Sequence, residues 1–584
     1  MSWRFSWARV TVAVAGLAGA WMAASWLVAG VALAAFLVLV RHHQRVEDAL
    51  ARFRTWRRIK DEHRARMTLD WDALPAPLDA PTDPDHPFVD LHLDGPRSLH
   101  HLLDASSSAG GSRRLLKRLR SNQPGRERIR EHQEQTRQLM RRSLYRDRLL
   151  MLGRRFGQST EPSSERRQRW SGDVLYDWLE RSDAAAQLRP WLWGLGALAA
   201  LNAVLALGHF AGFLPPIWPF TLLAYLGVYW QKHRAYGQLF DEAHELDLAF
   251  QHIAAPLRHL EEHPFPDGTP LTDLLAPMQT QAPSPSEALR RLKRITSAAS
   301  LTRSEFLQLL LNVLGPWDLF FAHRLHRLKE ALGDRLPAWL DCWHEMESAC
   351  SLAAYAEHHP ERAFADVAGD GSLFEGEALG HPLLPEDEKV RNDFAFERSG
   401  ELALVTGSNM SGKSTFLRTV GMNARLAQAG APADARALRM RPLRLFTCMN
   451  VADSVQEGLS YFYAEVRRLR RLYEVLHEDG PPLFFLIDEI FRGTNNRERL
   501  AGSRTFVRAV AGGSGVGLIS THDLELTALE DEIPLLQNYH FEEEVENGRM
   551  VFDYRLKRGP CTSTNALRIM EREGLPVEPA TADG

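Results

Sequence analysis

The sequence predicts three kinds of structure in one chain: an α/β domain at the carboxyl end, a long-helix all-α region before it, and two apolar helical hairpins in the amino-terminal half. Three observations carry this. The runs Val10 to Val40 and Pro190 to Gln231 hold no charged residue. Segments 46–70, 113–155, 236–263 and 286–357 repeat apolar residues at helical spacing. From Glu401 onward short apolar runs alternate with helical patterns, as in a parallel sheet with crossover helices. With 584 residues the chain has room for about three or four domains, and its length and 45% hydrophobic content exclude a disulfide-stapled miniprotein or a disordered tail.

The first apolar run has 31 residues, about 46 Å as one helix against a hydrocarbon core of roughly 30 Å. It fits one tilted helix or two short ones turning near Trp21 to Trp26. Arg4 and Arg9 before it, and Arg41, His42, His43 and Arg45 after it, favour a hairpin with both ends on the cytoplasmic side. Residues 1–45 are therefore expected to be a transmembrane hairpin. Residues 46–87 read as a helix followed by the Pro/Asp linker PAPLDAPTDPDHP, and 88–185 as the first part of a helical region. Within that region, 113–169 carry 18 Lys/Arg and 6 Asp/Glu, a local +12 that leaves −16 for the rest of a chain of net charge −4. Such an arm suits a solvated helix face, contact with anionic lipid, or contact with nucleic-acid phosphates.

The second apolar run is broken by Pro215, Pro216 and Pro219, so 186–235 reads as helix, turn, helix, with Trp191, Trp193, Trp218, Tyr229 and Trp230 at the interfaces. Arg189 before it and Lys232 and Arg234 after it again put both ends inside. Residues 236–365 continue the helical region. There the tract Phe306, Leu309, Leu310, Val313 and Leu314 is expected to be a helix face packed in the core. Cys342, Cys350, Cys448 and Cys561 show no paired spacing, which fits a reducing compartment and no metal cluster.

Residues 366–584 carry the chemistry. LALVTGSNMSGKSTFLRTVG is an apolar strand, a loop and a helix start, and Gly407, Ser408, Asn409, Met410, Ser411, Gly412, Lys413 and Ser414 satisfy G-x-x-x-x-G-K-[ST]. A loop of this kind turns its backbone N–H groups and the following helix N-terminus, here including Thr415, toward phosphate oxygens. Lys413 is placed to reach β- and γ-phosphates, and the Ser414 hydroxyl to bind Mg²⁺. Downstream, Leu483 to Ile487 read as a buried parallel strand with Asp488 at its carboxyl end, positioned to hold Mg²⁺. Glu489 is the candidate general base. A further strand, Val516 to Ser520, leads to Thr521 and His522, a candidate sensor of the γ-phosphate. ATP or ADP with Mg²⁺ is the implied ligand.

The set TGSNMSGKSTFLRTVG, EGLSYFYAEV, LIDEIFRGTN and STHDLELT, in this order, resembles the ATPase domain of MutS DNA mismatch-repair proteins, closely over about 380–575. A weaker match, LHLDGPRSLHHLLDASSSAGGSRRLLKRLRSNQP followed by HQEQTRQL, is similar to the start of that family's helical core and lever. The resemblance implies an ABC-type P-loop NTPase fold and a homodimer through the ATPase domains. In such a dimer, a segment matching Gly458, Ser460, Phe462 and Glu465 closes over the partner's nucleotide, with Ser460 meeting the γ-phosphate in trans. HPLLPEDEKVRNDFAF is similar to the strand before the P-loop and implies that Val390 and Asn392 border the adenine. Ser408 and Ser411 stand where the family has Pro and Gly, and Asn495, Asn496, Arg497, Glu498 and Arg499 replace its STYDG. The core match begins at residue 88, leaving no room for the family's mismatch-reading domain, so a membrane-anchored branch with doubtful mismatch specificity is expected.

Three functions follow. The leading one is a membrane-anchored ATPase in the inner or cytoplasmic membrane, coupled to DNA. A nucleotide-gated scaffold that ignores DNA is the second. A transporter ATPase is the third, disfavoured because EGLSYFYAEV stands in place of an LSGGQ-type signature.

Overall fold

A computed structural model describes residues 11, 26–77, 86–122, 125–154, 169–180, 188–233, 237–299, 305–408, 410–449, 461–492, 494–546 and 549–561. The helical part comprises α1 (Trp26–Met67), α2 (Leu99–Leu103), α3 (Ala109–Arg120), α4 (Arg126–Met140), α5 (Ser143–Arg154), α6 (Asp173–Glu180), α7 (Leu188–Phe210) and α8 (Trp218–His233). It continues with α9 (Gly237–Glu262), α10 (Pro270–Gln279), α11 (Pro285–Ala299), α12 (Glu305–Leu314), α13 (Trp317–Leu332) and α14 (Arg335–His358).

The second half of the first apolar run enters α1 and continues past Arg41 without a break, a helix of 42 residues. Its two ends differ. Leu27, Val31, Leu37 and Val38 are exposed, whereas Ile59, Glu62, His63, Ala65 and Arg66 are buried. The turn expected near Trp21 to Trp26 falls on residues 12–25, outside the described ones, up to Trp26 where the helix begins.

The second run folds as its prolines dictate. Helices α7 and α8 pack on each other across residues 211–217, and Pro219 sits in the first turn of α8, where a missing N–H removes no helical hydrogen bond. Among the described residues one helix, Arg189–Phe210, is long and apolar enough to cross a membrane, with only 17% of its most apolar window buried. At 16 residues α8 is about 24 Å long, shorter than a hydrocarbon core. The pair rests on α12 and α13 through Leu195, Ala199, Tyr225, Leu319 and Ala322. Tyr225 donates to the Asn312 carbonyl at 2.6 Å, and Tyr229 to Asp318 at 3.0 Å.

This seating overturns the expected core face of α12. Leu309, Leu310 and Leu314 are 61%, 44% and 71% exposed, and Val313 is half-buried. The surroundings of the Phe306 side chain lie outside the described ones. The face that packs carries Asn312, whose side chain also accepts the Asp318 N–H at 3.1 Å, so the leucine row points away.

Helix α14 is the axis of the helical part, burying Trp339, Leu340, Trp343, Met346, Ala349, Leu352 and Ala353. Helix α3 approaches it closely because Gly110 and Gly111 face it: a Cβ there would meet His344 and Glu347 at 2.3 and 2.2 Å. The Glu347 carboxylate accepts the backbone N–H groups of Ser107 and Ser108, at 3.0 and 3.2 Å, and both serine hydroxyls, fastening the start of α3. Six of the eighteen basic residues of the arm are engaged in the same packing. Arg114 pairs with Asp341, Arg118 with Glu345, Arg120 with Asp94, Arg146 with Glu357, Arg154 with Glu62 and Arg169 with Asp104. The +12 arm thus meets acidic groups of the same chain.

The α/β part has strands β1 (Asp366–Val367), β2 (Phe374–Leu379), β3 (Asn392–Phe396), β4 (Leu402–Thr406), β5 (Ala437–Met440), β6 (Arg444–Cys448), β7 (Leu483–Asp488), β8 (Gly515–Thr521), β9 (Leu536–Glu546) and β10 (Arg549–Arg558). Its longer helices are α15 (Lys413–Ala429), α16 (Tyr461–Leu476) and α17 (Asn496–Val510). The main sheet runs β10-β9-β4-β8-β7-β6, parallel from β9 through β6, with β10 antiparallel at the edge; the smaller one runs β1-β5-β2-β3. Strands β4, β7 and β8 read as unbroken apolar runs because helices cover both faces. Phe416, Leu417 and Val420 of α15 lie on one face, and Leu472, Leu476, Val507 and Val510 of α16 and α17 on the other. Parallel register aligns the carboxyl ends of β4, β7 and β8, pairing Thr406 with Thr521 and Asp488 with Ser520.

Candidate functional site

At that aligned edge the loop 407–412 joins β4 to α15. Gly407 and Gly412 have φ of 148° and 104°, values open to glycine, and the turn aims the α15 N-terminus outward. Lys413 is buried. Its Nζ donates to the carbonyls of Gly407 and Ser408 at 2.8 and 2.7 Å. Burial lowers its pKa, opposed by the charges of Asp488 and Glu489. The Ser411 hydroxyl is buried and has no hydrogen-bond partner, a donor left for a ligand.

Asp488 ends β7 and accepts the Ser520 hydroxyl. Glu489 follows at φ 54°, its N–H donating to Ser520 O at 3.1 Å and Ser520 Oγ at 3.2 Å. Its carboxylate lies between His522 Nε2 at 2.7 Å and Arg492 Nε at 3.1 Å. A cavity of ≈ 610 Å³ brings together Val390, Asn392, Ser408, Met410, Ser411, Gly412, Lys413, Ser414, Thr415 and Glu489. Asn409 and Ser460, with Gly458, lie outside the described residues. Of the segment expected to act in trans, Phe462 is partly exposed at the start of α16, and buried Glu465 accepts the Phe491 N–H.

Sequence reasoning missed part of the wall. Phe541 and Tyr554 also line the cavity. An irregularity in the β9/β10 register between Phe552 and Leu556 carries Tyr554 over the loop, its ring 3.1 Å from where a Cβ on Gly412 would stand. Asn392 holds this bulge: its Nδ2 donates to Tyr554 O at 3.0 Å, and its Oδ1 accepts the Leu556 N–H at 2.8 Å. Spacing gave no signal of it, because a bulge leaves no regular pattern. The NNRER variation also finds its use. Asn495 caps α17 by accepting the Glu498 N–H at 3.0 Å, and Arg499 grips Asp523 with two bonds of 2.9 and 2.8 Å, bracing the loop that bears His522.

The residues present fit a magnesium nucleotide. Ser414 and Asp488 offer hard oxygens, and the described residues hold no cluster of three or more His, Cys, Asp or Glu that could bind a metal alone. Mg²⁺ needs only one or two protein oxygens and completes its shell with phosphates and water, a demand that Ser414 and Asp488 meet.

Fold and loop together define a P-loop domain of the α/β class. Residues 403–582, about a third of the chain, match the model of MutS domain V. The DNA mismatch repair protein MutS of Exiguobacterium sp. is 36% identical over 203 residues, 34% of this chain and 24% of that protein. The DNA mismatch repair protein MutS 2 of Halobacterium salinarum is 30% identical over 283 residues, 46% and 32% respectively. MutS of Listeria monocytogenes is 35% identical over 265 residues, 44% and 29%. The chain thus spans about a quarter to a third of the length of these relatives.

Proposed function

We propose that this chain is a membrane-anchored MutS-family ATPase whose paired ATPase domains bind and hydrolyse ATP and pass the resulting motion into the helical region. The observation that carries this is the single cavity uniting the P-loop, Glu489 and the Val390 and Asn392 wall. Lys413 leaves the carbonyls of Gly407 and Ser408 for the β- and γ-phosphates. Ser414 and Asp488 would hold Mg²⁺, which neutralises phosphate charge when bound. Glu489 takes a proton from the water that attacks the γ-phosphorus, giving ADP and phosphate. His522, bonded to Glu489, registers the change. Ser460 of a second copy closes the site in trans.

The exposed apolar start of α1 and the exposed α7/α8 pair support a bilayer anchor. Arg189, Lys232 and Arg234 favour both ends of that pair on the cytoplasmic face of the inner membrane. The likeness to MutS proteins supports a coupling to DNA. The pairing of six arginines of the basic arm with acidic side chains favours the second reading, a nucleotide-gated scaffold.

One experiment separates them: ATPase activity of the detergent-solubilised chain with and without duplex, branched and mismatched DNA, at two salt concentrations. Stimulation that weakens with salt supports DNA coupling. Activity indifferent to all three DNAs supports the scaffold, and absence of magnesium-dependent hydrolysis refutes the ATPase.

A further inference from the structure

Strand β9 runs parallel to β4 with Thr406 opposite His540, so the residues after His540 lie alongside the phosphate loop, beyond the end of β4. Side chains alternate along a strand. Phe541 and Glu543 are buried, while Glu542 faces Lys557 at 2.6 Å on the other side. The Ser408 hydroxyl, in the loop, donates to the Glu543 carboxylate. In the same loop the Lys413 ammonium is folded back onto the carbonyls of Gly407 and Ser408. A buried carboxylate therefore touches a loop whose backbone is shaped to receive anions. Glu543 is also among the carboxylates whose charge acts on Lys413.

The geometry points to Glu543 as an inhibitory latch: its carboxylate holds the nucleotide-free loop through Ser408 and lowers the affinity of the site for polyphosphates in proportion to their charge. This rests on the reading of the cavity as an ATP site. A triphosphate entering the loop brings three to four negative charges within several ångströms of a carboxylate shielded from solvent, so the two repel each other. Lys413, partly balanced by the same carboxylate, is less available to the incoming phosphates. Removing one such charge at this range is worth on the order of tenfold in ATP affinity.

Glu543→Gln keeps the shape and can still accept the Ser408 hydroxyl, but removes the charge. Dissociation constants for a non-hydrolysable ATP analogue, ADP and adenosine are measured by calorimetry on the full-length protein in detergent. Expected are about tenfold tighter binding of the triphosphate, a smaller gain for ADP and none for adenosine. Glu542→Gln, on the outer side of the same strand, is expected to change nothing. Unchanged or weaker triphosphate binding in Glu543→Gln overturns the latch. So does an equal gain for all three ligands, or the same gain in Glu542→Gln. Lys413→Ala separates this failure from failure of the site itself: if Lys413→Ala binds the triphosphate like the unaltered chain, the ATP-site reading falls, whatever Glu543 does.

Discussion

Asn392→Ala tests how the cavity wall is built. Asn392 is the first residue of β3, and its side chain makes two hydrogen bonds to β10, of 3.0 Å to Tyr554 O and 2.8 Å from the Leu556 N–H. These are the bonds that hold the bulge carrying Tyr554, whose own φ is 52°. A hydrogen bond of this kind contributes about 1 kcal/mol, so losing both releases the bulge at about 2 kcal/mol. If the whole of that is spent re-forming the wall on binding, ATP affinity falls about 30-fold; partial exposure of the pair brings the expectation to about 5- to 30-fold. Lys413 is held by the Gly407 and Ser408 carbonyls and not by Asn392, so its reach to phosphate does not depend on these two bonds. The assay is calorimetric titration with ATP and, separately, with inorganic tripolyphosphate, both without metal so that nothing turns over. ATP should weaken and tripolyphosphate should not. Unchanged ATP affinity, or equal weakening of both ligands, would refute the idea that Asn392 serves the base side of the cavity.

Glu489→Gln should lower the hydrolysis rate about 10²- to 10⁴-fold while ATP still binds, as expected of a general base; a near-normal rate in a steady-state assay would remove it from that role. Glu347→Leu strips four donors at the start of α3 of their buried acceptor and is expected to destabilise the helical part by about 3–5 kcal/mol in denaturant unfolding. His63 and His358, with ring centroids 4.8 Å apart, have pKa values lowered from 6.5 to about 2 and about 3, chiefly by burial. Both stay neutral in the folded chain while the unfolded chain takes up protons. Their contribution is therefore intact above pH 6.5 and lost as pH falls from there toward 3, on the order of 1 kcal/mol per pH unit for each. Thermal unfolding should shift downward between pH 7 and 5, and less steeply in His63→Leu.

What the sequence made legible follows from how local each signal is. The loop 407–414, the apolar strand ending in Asp488 and the proline-broken pair α7/α8 are written in contiguous residues, and they lie where local rules place them. Partnerships across the chain are not written that way. Glu347 meets Ser107 from a distance of 240 residues, and Asn392 meets Tyr554 from 162. The basic arm looked available to lipid or phosphate because its acidic partners on α1 and α14 are invisible until the helices pack. The leucines of α12 mimicked a core stripe, yet Asn312 decided which face is buried. Left-handed φ at Glu489 and Phe491, neither of them glycine, is set by tertiary contacts rather than by propensity.

ATP binding through Lys413 in the cavity at the end of β4, followed by hydrolysis driven by Glu489, is the activity proposed for this chain. It is tested most directly by measuring ATP binding and phosphate release, with and without Mg²⁺, on the full-length protein alongside Lys413→Ala. Magnesium-dependent phosphate release by the unaltered chain, with loss of both binding and release in Lys413→Ala, is expected. Nucleotide binding by Lys413→Ala equal to that of the unaltered chain would contradict it.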